Sequence, residues 1–281
     1  MTRRGPFLLT VPMLALYLVV LCLPLAMTVV LSFQTYSHSA GMGEGFTVSN
    51  YLRVVTDEYY IEIFVRTLRI SVITTVVCLL IGVPEAYIVS RMRSPWKSIF
   101  LIVLLAPLLI SVVVRTFGWS VVLGPSGPFN QLLRAFDIPT LRLLYREPAV
   151  VIALVHVLLP FMIIPVWASL QKLDPMVESA GLSLGASKST VLRRIVFPQI
   201  IPGILSGSLI VFGLAASSFA IPGLLGGRRV KTVATVVYDE YLTQLNWPLG
   251  AAIAFVLLAT NLAIMLAYNA MLEREQRRSI G

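Results

Sequence analysis

Six stretches of the sequence are apolar over about 20 residues or more, and this feature limits the possible folds most strongly. An α-helix of roughly 20 apolar residues crosses the hydrocarbon core of a bilayer. In lipid, the backbone must satisfy its hydrogen bonds within the segment, so long apolar runs without alternation are helices. We therefore predict an all-α, polytopic membrane protein with six transmembrane helices. The expected spans are residues 7–33, 63–90, 98–123, 148–170, 199–222 and 248–272.

The composition supports a membrane protein and argues against nucleic-acid binding. Of the 281 residues, 57% are hydrophobic and 12% are charged, whereas a soluble domain carries about 25% charged residues. The net charge of +9 comes from basic residues scattered between apolar runs, without the continuous basic face that nucleic acid requires. We expect one transmembrane domain over residues 1–281, with no metal site and no nucleic-acid partner.

Lysine and arginine residues predict the orientation. With the N-terminus in the cytoplasm, the inner segments hold twelve of them, beginning with Arg3 and Arg4, against seven in the outer segments. Cytoplasmic loops of membrane proteins carry such an excess, so we place both termini and residues 171–198 on the cytoplasmic side. The outer seven are Arg53, Arg134, Arg142, Arg146, Arg228, Arg229 and Lys231.

Residues 171–198, called here the polar segment, interrupt the apolar pattern between spans four and five. Their glycines, followed by a lysine, superficially look like a phosphate-binding loop. Such a loop has Gly directly before its Lys and another Gly five positions earlier, but here these positions hold Ser187 and Leu182. We therefore expect no ATP site in this chain, and the sequence indicates no other cofactor site and no catalytic residues.

The polar segment has the start and stop signals of two short helices. Asp174 before Pro175 is a strong helix start, and Gly185 is a stop signal after a helix that ends near Leu184. Ser187 is expected to cap a second helix, which we expect Pro198 to close. Such a pair of helices is either an ordered cap on the bundle or a docking element for another protein.

The polar segment resembles the cytoplasmic "EAA" loop of permeases from bacterial ATP-binding-cassette importers. That loop reads Glu-Ala-Ala, three residues, Gly, then about nine residues to an apolar-Pro ending. Counted from Gly185, the two alanines fall on Ala180 and Gly181, and the glutamate falls on Ser179, one position after Glu178. The resemblance implies that these residues, with Ala186, Ser187 and Pro198, contact the ATPase; it leaves open whether Glu178 or Ser179 makes the acidic contact.

Three further motifs extend the resemblance along the chain. They are "VRTFGWSVVLGPSGPFNQLL" (114–133), "FAIPGLLGG" (219–227) and "NWPLGAAIA" (246–254), and they look like the polyamine branch of these permeases. The resemblance implies the type I importer permease fold, without enzymatic activity of its own, and a cargo of spermidine, putrescine or a related small amine. The same machinery in this branch imports iron(III), phosphonates or γ-aminobutyrate-like solutes, which remain alternatives.

The resemblance also implies partners and a location. The partners would be a second permease subunit, most simply a homologue, two ATPase subunits that hold ATP and Mg²⁺, and a solute-binding protein outside the cell. The chain would lie in the lipid of the bacterial cytoplasmic (inner) membrane. Closure of the ATPases would move the polar segment and switch the spans between two packings.

A few polar residues at membrane depth or outside it are candidates for the cargo pathway. Ionisable groups in spans are costly and are functional candidates for that reason. Arg115 and His156 are expected to brace helices, His156 as a hydrogen-bond donor between helices, and Glu85 to reach the interface. Carboxylates in the outer segments lie among tyrosines in the sequence. They would bind a cationic cargo or form the docking surface for the binding protein, or they are simply solvated. The pathway candidates are Arg115, Ser217, Ser218, Asn261, Asp239 and Glu240.

Two other classes of membrane protein remain as rivals. A secondary transporter would require paired intramembrane carboxylates or matching broken helices in two halves of the chain, and neither is clear. A membrane-embedded enzyme would require a constellation of catalytic side chains at membrane depth, where His156 stands alone.

Overall fold

The computed structural model describes residues 5–37 and 41–280, so Arg3 and Arg4 lie outside the described residues. Its described part is mostly helical and forms two compact units, one within Met1–Glu62 and Val236–Gly281, the other Ile63–Thr235. The helices are α1 (Gly5–Ser32), α2 (Ser49–Thr56), α3 (Glu58–Arg91), α4 (Trp96–Leu109), α5 (Val112–Val122), α6 (Pro128–Ala135), α7 (Glu147–Gln171), α8 (Pro175–Ser183), α9 (Lys188–Val191), α10 (Phe197–Ser217), α11 (Ala220–Leu225), α12 (Val233–Leu242) and α13 (Trp247–Ile280).

Among the described residues, five helical stretches are long and apolar enough to cross a membrane, and a bent pair makes six if it counts as one span. The pair is α4 and α5, whose axes differ by 100°. The five stretches are Val11–Ser32, Glu58–Arg91, Glu147–Gln171, Lys188–Ser217 and Trp247–Ala270.

The bent pair differs from the continuous helix predicted at 98–123. Ile110 and Ser111 both adopt extended backbone torsions, with ψ of 138° and 133°, and a helix cannot continue through two such residues. Pro107 lies within the last turn of α4 and removes one hydrogen bond from that turn, which weakens the helix close to the break. The chain therefore turns sharply between Leu109 and Val112.

The first unit contains a short β-hairpin that the all-α prediction did not include. Strands β1 (Gln34–Ser37) and β2 (Gly41–Phe46) are antiparallel, with Gln34 opposite Phe46. The Asn50 side chain holds the hairpin to α1 because its Nδ2 donates to the carbonyls of Ser32 and Gln34, each at 3.0 Å. In the same unit α13 packs against α1 and α2.

The second unit is built on the contact between α7 and α10. Met162 of α7 is completely buried, and a Cβ built at Gly207 would lie 2.9 Å from its sulfur. At Gly203, a built Cβ would lie 2.5 Å from the Pro165 carbonyl oxygen. The two helices therefore touch at the backbone, as small residues allow in membrane bundles.

The predicted end of the second short helix at Pro198 is wrong. Helix α9 continues through a π-helical turn, Leu192–Val196, directly into α10. Proline cannot donate a backbone hydrogen bond, and its ring crowds the carbonyl four residues earlier. The wider π turn accommodates this, with the Phe197 N–H donating to the Leu192 carbonyl, so Pro198 opens the membrane part of the helix instead of ending it.

We expect Gly203→Val to destabilise the chain, whereas Gly213→Val on the same helix is tolerated. The new side chain at 203 meets the α7 backbone, while a Cβ at Gly213 meets nothing within 4 Å. Overpacking of this kind costs about 1–3 kcal/mol. Thermal unfolding of the purified chain in detergent would measure the difference, and equal melting temperatures for the two variants would contradict the packing described.

Candidate coupling site

The predicted caps of the polar segment are present. The Asp174 carboxylate accepts a hydrogen bond from the Met176 N–H at 2.9 Å, and the Ser187 hydroxyl accepts one from the Thr190 N–H at 3.2 Å. Each cap satisfies a backbone N–H that a helix N-terminus leaves free. Helix α8 ends at Ser183, one residue before the predicted end. Local sequence signals therefore determine both helix starts.

Gly185 makes the turn between α8 and α9. Its φ is +83°, a left-handed conformation that costs other L-residues about 1–2 kcal/mol. A Cβ built there meets nothing within 4 Å, so glycine is required for its backbone and not for space. The turn is closed by the Ala186 N–H, which donates to the Gly181 carbonyl at 3.2 Å.

Gly181 allows α8 to lie close against the following helix. A Cβ built at Gly181 would lie 3.0 Å from Ile195 Cδ1 and 3.2 Å from Val191 Cγ2. The second alanine position of the motif therefore holds a residue without a side chain where the neighbouring side chains leave little room for a Cβ. Ala180, next to it, is exposed.

Glu178 is directed into the protein, where it pairs with Arg91 at the end of α3. Its side chain is 14% exposed, against 40% for Arg91. The Arg91 guanidinium also lies 5.2 Å from the centre of the Tyr87 ring, a cation–π distance. Ser179, by contrast, is exposed. The carboxylate nearest to the motif's acidic position is thus used within the chain.

Several exposed side chains of α8 and of the turn after it are apolar, although exposed charged residues such as Lys188 and Arg193 lie elsewhere on the polar segment. Met176 is 73% exposed and Leu184 is 89% exposed, and with Ala180 they occupy the i, i+4 positions predicted to share one helix face. Val177 and Leu182 are also exposed. Large apolar side chains clustered at the surface mark interaction sites more often than isolated ones do.

The base of the polar segment is anchored in the core of the second unit. Leu173 and Val196 of the segment belong to the buried core of that unit, as does Ile200 just after it, and Val191 is buried. At the same end of α7, the Lys97 ammonium lies 5.2 Å from the centre of the Trp167 ring. Of the remaining predicted contact residues, Ala186 is half-buried, and Ser187 and Pro198 are exposed. The polar segment thus has a buried base and an exposed apolar tip, by which we mean Met176, Ala180 and Leu184.

The pathway candidates of the second unit occupy different environments. Arg115 lies on α5, and its buried Nε and Nη1 atoms have no hydrogen-bond partner among the described residues. The Ser217 hydroxyl donates to the Gly213 carbonyl of its own helix at 2.9 Å, and Ser218 ends that helix. His156 accepts a hydrogen bond from Trp119 Nε1 at 3.3 Å, so it joins two helices as an acceptor and not as the predicted donor.

The first unit holds the other candidates. Asn261 lies on α13, where its buried Oδ1 has no partner in the described part of the chain. Asp239 and Glu240 lie on α12, each with an interaction of its own. Near the start of α3, Arg53 lies 4.0 Å from Asp57 and 5.8 Å from the centre of the Tyr60 ring. Arg53 therefore offsets part of the negative charge of Asp57 near the start of α3.

The sequence did not identify Arg91 as part of the site. It is 87 residues from Glu178, and nothing in its local sequence distinguishes it from the other basic residues near helix ends. Apart from Glu85, the sequence also did not identify the residues elsewhere in the described chain whose polar atoms are buried without a hydrogen-bond partner. Besides those named above they are Thr74 Oγ1, Glu85 Oε2, Trp167 Nε1, Ser208 Oγ and Thr232 Oγ1.

Solved structures share this fold. The chain superposes on a chain of a bacterial ABC transporter that imports the acidic polysaccharide alginate, with a TM-score of 0.81 at 18% identity over 95% of this chain and 94% of that one. It also matches a chain of the MetNI methionine ABC transporter, with a TM-score of 0.61 at 16% identity over 78% and 99% of the two chains. The architecture is that of a type I ABC importer permease.

Curated relatives are similar over nearly the whole chain. The spermidine/putrescine transport system permease protein PotB of Haemophilus influenzae is 33% identical over 90% of both chains. PotB of Escherichia coli is 32% identical over 88% of this chain and 90% of that one. A putative 2-aminoethylphosphonate transport system permease protein of Salmonella typhimurium is 24% identical over 83% and 82%. Residues 7–277 match the family described as binding-protein-dependent transport system inner membrane component, and the chain belongs to that family.

Proposed function

We propose that this permease imports polyamines, spermidine or putrescine, into the cell. The observation that carries the proposal is the 33% identity to a spermidine/putrescine permease over 90% of the chain. The outer carboxylates of the first unit, with tyrosines beside them, also suit a cationic cargo because ammonium groups bind carboxylates and aromatic faces. Asp239 and Glu240 are the residues we assign to this role.

The polar segment is proposed to be the contact with the ATPases. Its exposed residues Met176, Ala180 and Leu184 would enter a groove on an ATPase subunit, while Ser179 lies at the edge of that contact. The buried base would carry the resulting displacement into α7 and α10. Rigid-body switching of this kind requires a connector that does not absorb the movement, and the capped, close-packed segment meets that requirement.

The proposed assembly contains this chain, a second permease subunit, two ATPase subunits and a solute-binding protein. ATP and Mg²⁺ belong to the ATPase subunits. Both termini and the polar segment lie in the cytoplasm, and the α12 carboxylates face outside. The crystal structure of the alginate transporter with its ligand-bound periplasmic protein supports an assembly of this kind.

A phosphonate is the second candidate cargo, because the 2-aminoethylphosphonate permease is similar over 83% of the chain. Its lower identity, 24%, places it after the polyamines. For iron(III) and γ-aminobutyrate-like solutes, the proposal rests on the sequence motifs alone.

Uptake by the complete importer in liposomes would test the cargo. With ATP inside the vesicles and binding protein outside, we expect accumulation of radiolabelled spermidine or putrescine, and none of 2-aminoethylphosphonate. A proton gradient without ATP should give no uptake. Accumulation of phosphonate alone would replace the polyamine proposal, and uptake driven by the gradient would indicate a secondary transporter.

Replacement of Gly185 should separate ATP hydrolysis from transport. Gly185→Val forces a β-branched residue into the left-handed region, whereas Gly185→Asn keeps that conformation accessible. The left-handed conformation costs an L-residue about 1–2 kcal/mol, so we expect Gly185→Val to lower the amount of cargo transported per ATP roughly tenfold. Gly185→Asn should retain most of this transport. The ratio of uptake to phosphate release in proteoliposomes measures this. Equal ratios for the two variants would show that the turn geometry has no part in coupling.

Charge reversal should test the pair between Arg91 and Glu178. Arg91→Glu or Glu178→Arg places like charges together, and we expect each to lower the uptake-to-hydrolysis ratio about threefold, as for a partly exposed pair. The double exchange should restore the ratio. Lys172→Glu, an exposed change in the polar segment, is the control. If the double exchange behaves as badly as the single variants, Glu178 acts outside the chain and not on Arg91.

A further inference from the structure

Three arginines of the second unit surround one cavity. Arg142, Arg146 and Arg229 line a space of ≈ 360 Å³ together with Tyr145 and the apolar side chains of Leu123 and Leu144. All three arginines are exposed at the protein surface. The cavity thus combines three cationic groups with an apolar wall.

Within the part of the chain that the structure describes, no carboxylate neutralises the positive charge of this cavity. In the described residues, none of the three guanidinium groups has a carboxylate within ion-pair distance. Glu147, which follows Arg146 directly, pairs instead with Arg69 and with Arg66, the latter at 3.4 Å. Clustered like charges repel one another, so an arrangement of this kind favours an anionic ligand.

The walls of the cavity are held by backbone and ring contacts. Tyr145 has φ +64°, a conformation that is uncommon for an aromatic residue and is found at functional sites. Its N–H donates to the Leu225 carbonyl at 3.0 Å, and a Cβ built at Gly227 would lie 2.9 Å from its ring. The segments that carry Arg146 and Arg229 are therefore fixed to each other.

The cavity lies at the ends of helices that cross the membrane. Arg146 is the N-cap residue of α7, and Leu123 is the C-cap residue of α5. If α7 and the bent pair of α4 and α5 cross the membrane as their length and composition indicate, these helix ends would lie at the depth of the lipid phosphates. Of the seven basic residues predicted outside, five lie in the segments 142–146 and 228–231. Basic residues on the outer side oppose the usual charge distribution, which argues that they have a ligand there.

We propose that the arginine cavity binds the phosphate group of an anionic phospholipid. Arginine forks bind phosphate oxygens in pairs, and the leucine wall would contact the glycerol and the first acyl carbons. The ligand differs from the cargo, because three arginines repel a polyamine. The proposal rests on the proposed function in one respect only, namely that the arginine cavity lies on the outer side of the membrane. A bound lipid would join α5, α7 and the segment before α12 at the membrane surface.

Native mass spectrometry of the purified full importer would test the site with phosphatidylglycerol as the probe. The test variant is R142Q/R146Q/R229Q. The control, R53Q/R134Q/R228Q, removes the same charge from outer arginines that do not line the cavity. We expect the test variant to retain roughly tenfold less phosphatidylglycerol, as expected for the loss of charge-assisted hydrogen bonds, and the control to match the unmodified importer.

A second variant addresses a failure to fold. R142K/R146K/R229K keeps the charge but removes the planar forks, so we expect intermediate retention in protein with an unchanged size-exclusion profile. Equal retention in all variants would overturn the proposal. Phosphatidylcholine has a zwitterionic headgroup whose choline cation the arginines disfavour, so the unmodified importer should retain it less than phosphatidylglycerol. Equal retention of the two lipids would also count against the site.

Two outcomes would assign the cavity to something other than a lipid. If inorganic phosphate binds and phosphatidylglycerol does not, the cavity recognises a phosphate group, but the proposal that this group belongs to a lipid is wrong. If the test variant keeps its lipid but loses affinity for the solute-binding protein, the cavity is a docking surface and the proposal is wrong. Lipid retention is measured without transport, so a different cargo in the uptake assay would leave this result unaffected.

Discussion

The backbone contact between α7 and α10 is the constraint on which the rest of the second unit depends. Helix α7 leads into the polar segment, and α10 continues from it, so both ends of the segment are attached to helices that already touch. Gly203 and Gly207 make this possible, since built Cβ atoms there would lie within 3 Å of α7 atoms. Close packing leaves little room for the two helices to slide separately, so a displacement of α8 is shared by both.

The ion pair between Glu178 and Arg91 adds α3 to this connection. Helix α8 is otherwise held through Gly181 and through the turn at Gly185, which both connect it to the helix that follows. The pair joins it to the end of a third membrane helix, 87 residues earlier in the chain. Three spans are thereby coupled to one surface element, which is what rigid-body switching between two packings requires.

Local features of the polar segment could be predicted from the sequence, because caps and turns depend on neighbouring residues. Asp174, Gly185 and Ser187 behave as expected for that reason. The pair of Glu178 with Arg91 depends on tertiary packing, which residue spacing does not encode. The bend between α4 and α5 and the π turn before Pro198 were also missed, since proline patterns allow a kink, a break or a bulge and packing selects among them.

Use of Glu178 within the chain changes the expected chemistry of the ATPase contact. The exposed tip of the polar segment then presents Met176 and Leu184, which are 73% and 89% exposed, in place of a carboxylate. An exposed ion pair is screened over about 10 Å at 0.1 M salt, whereas apolar burial persists as ionic strength changes and is non-directional. In the proposed contact, exposed apolar side chains such as Met176 and Leu184 would therefore stay bound while the ATPase rotates, because such a contact does not depend on the alignment of two charges.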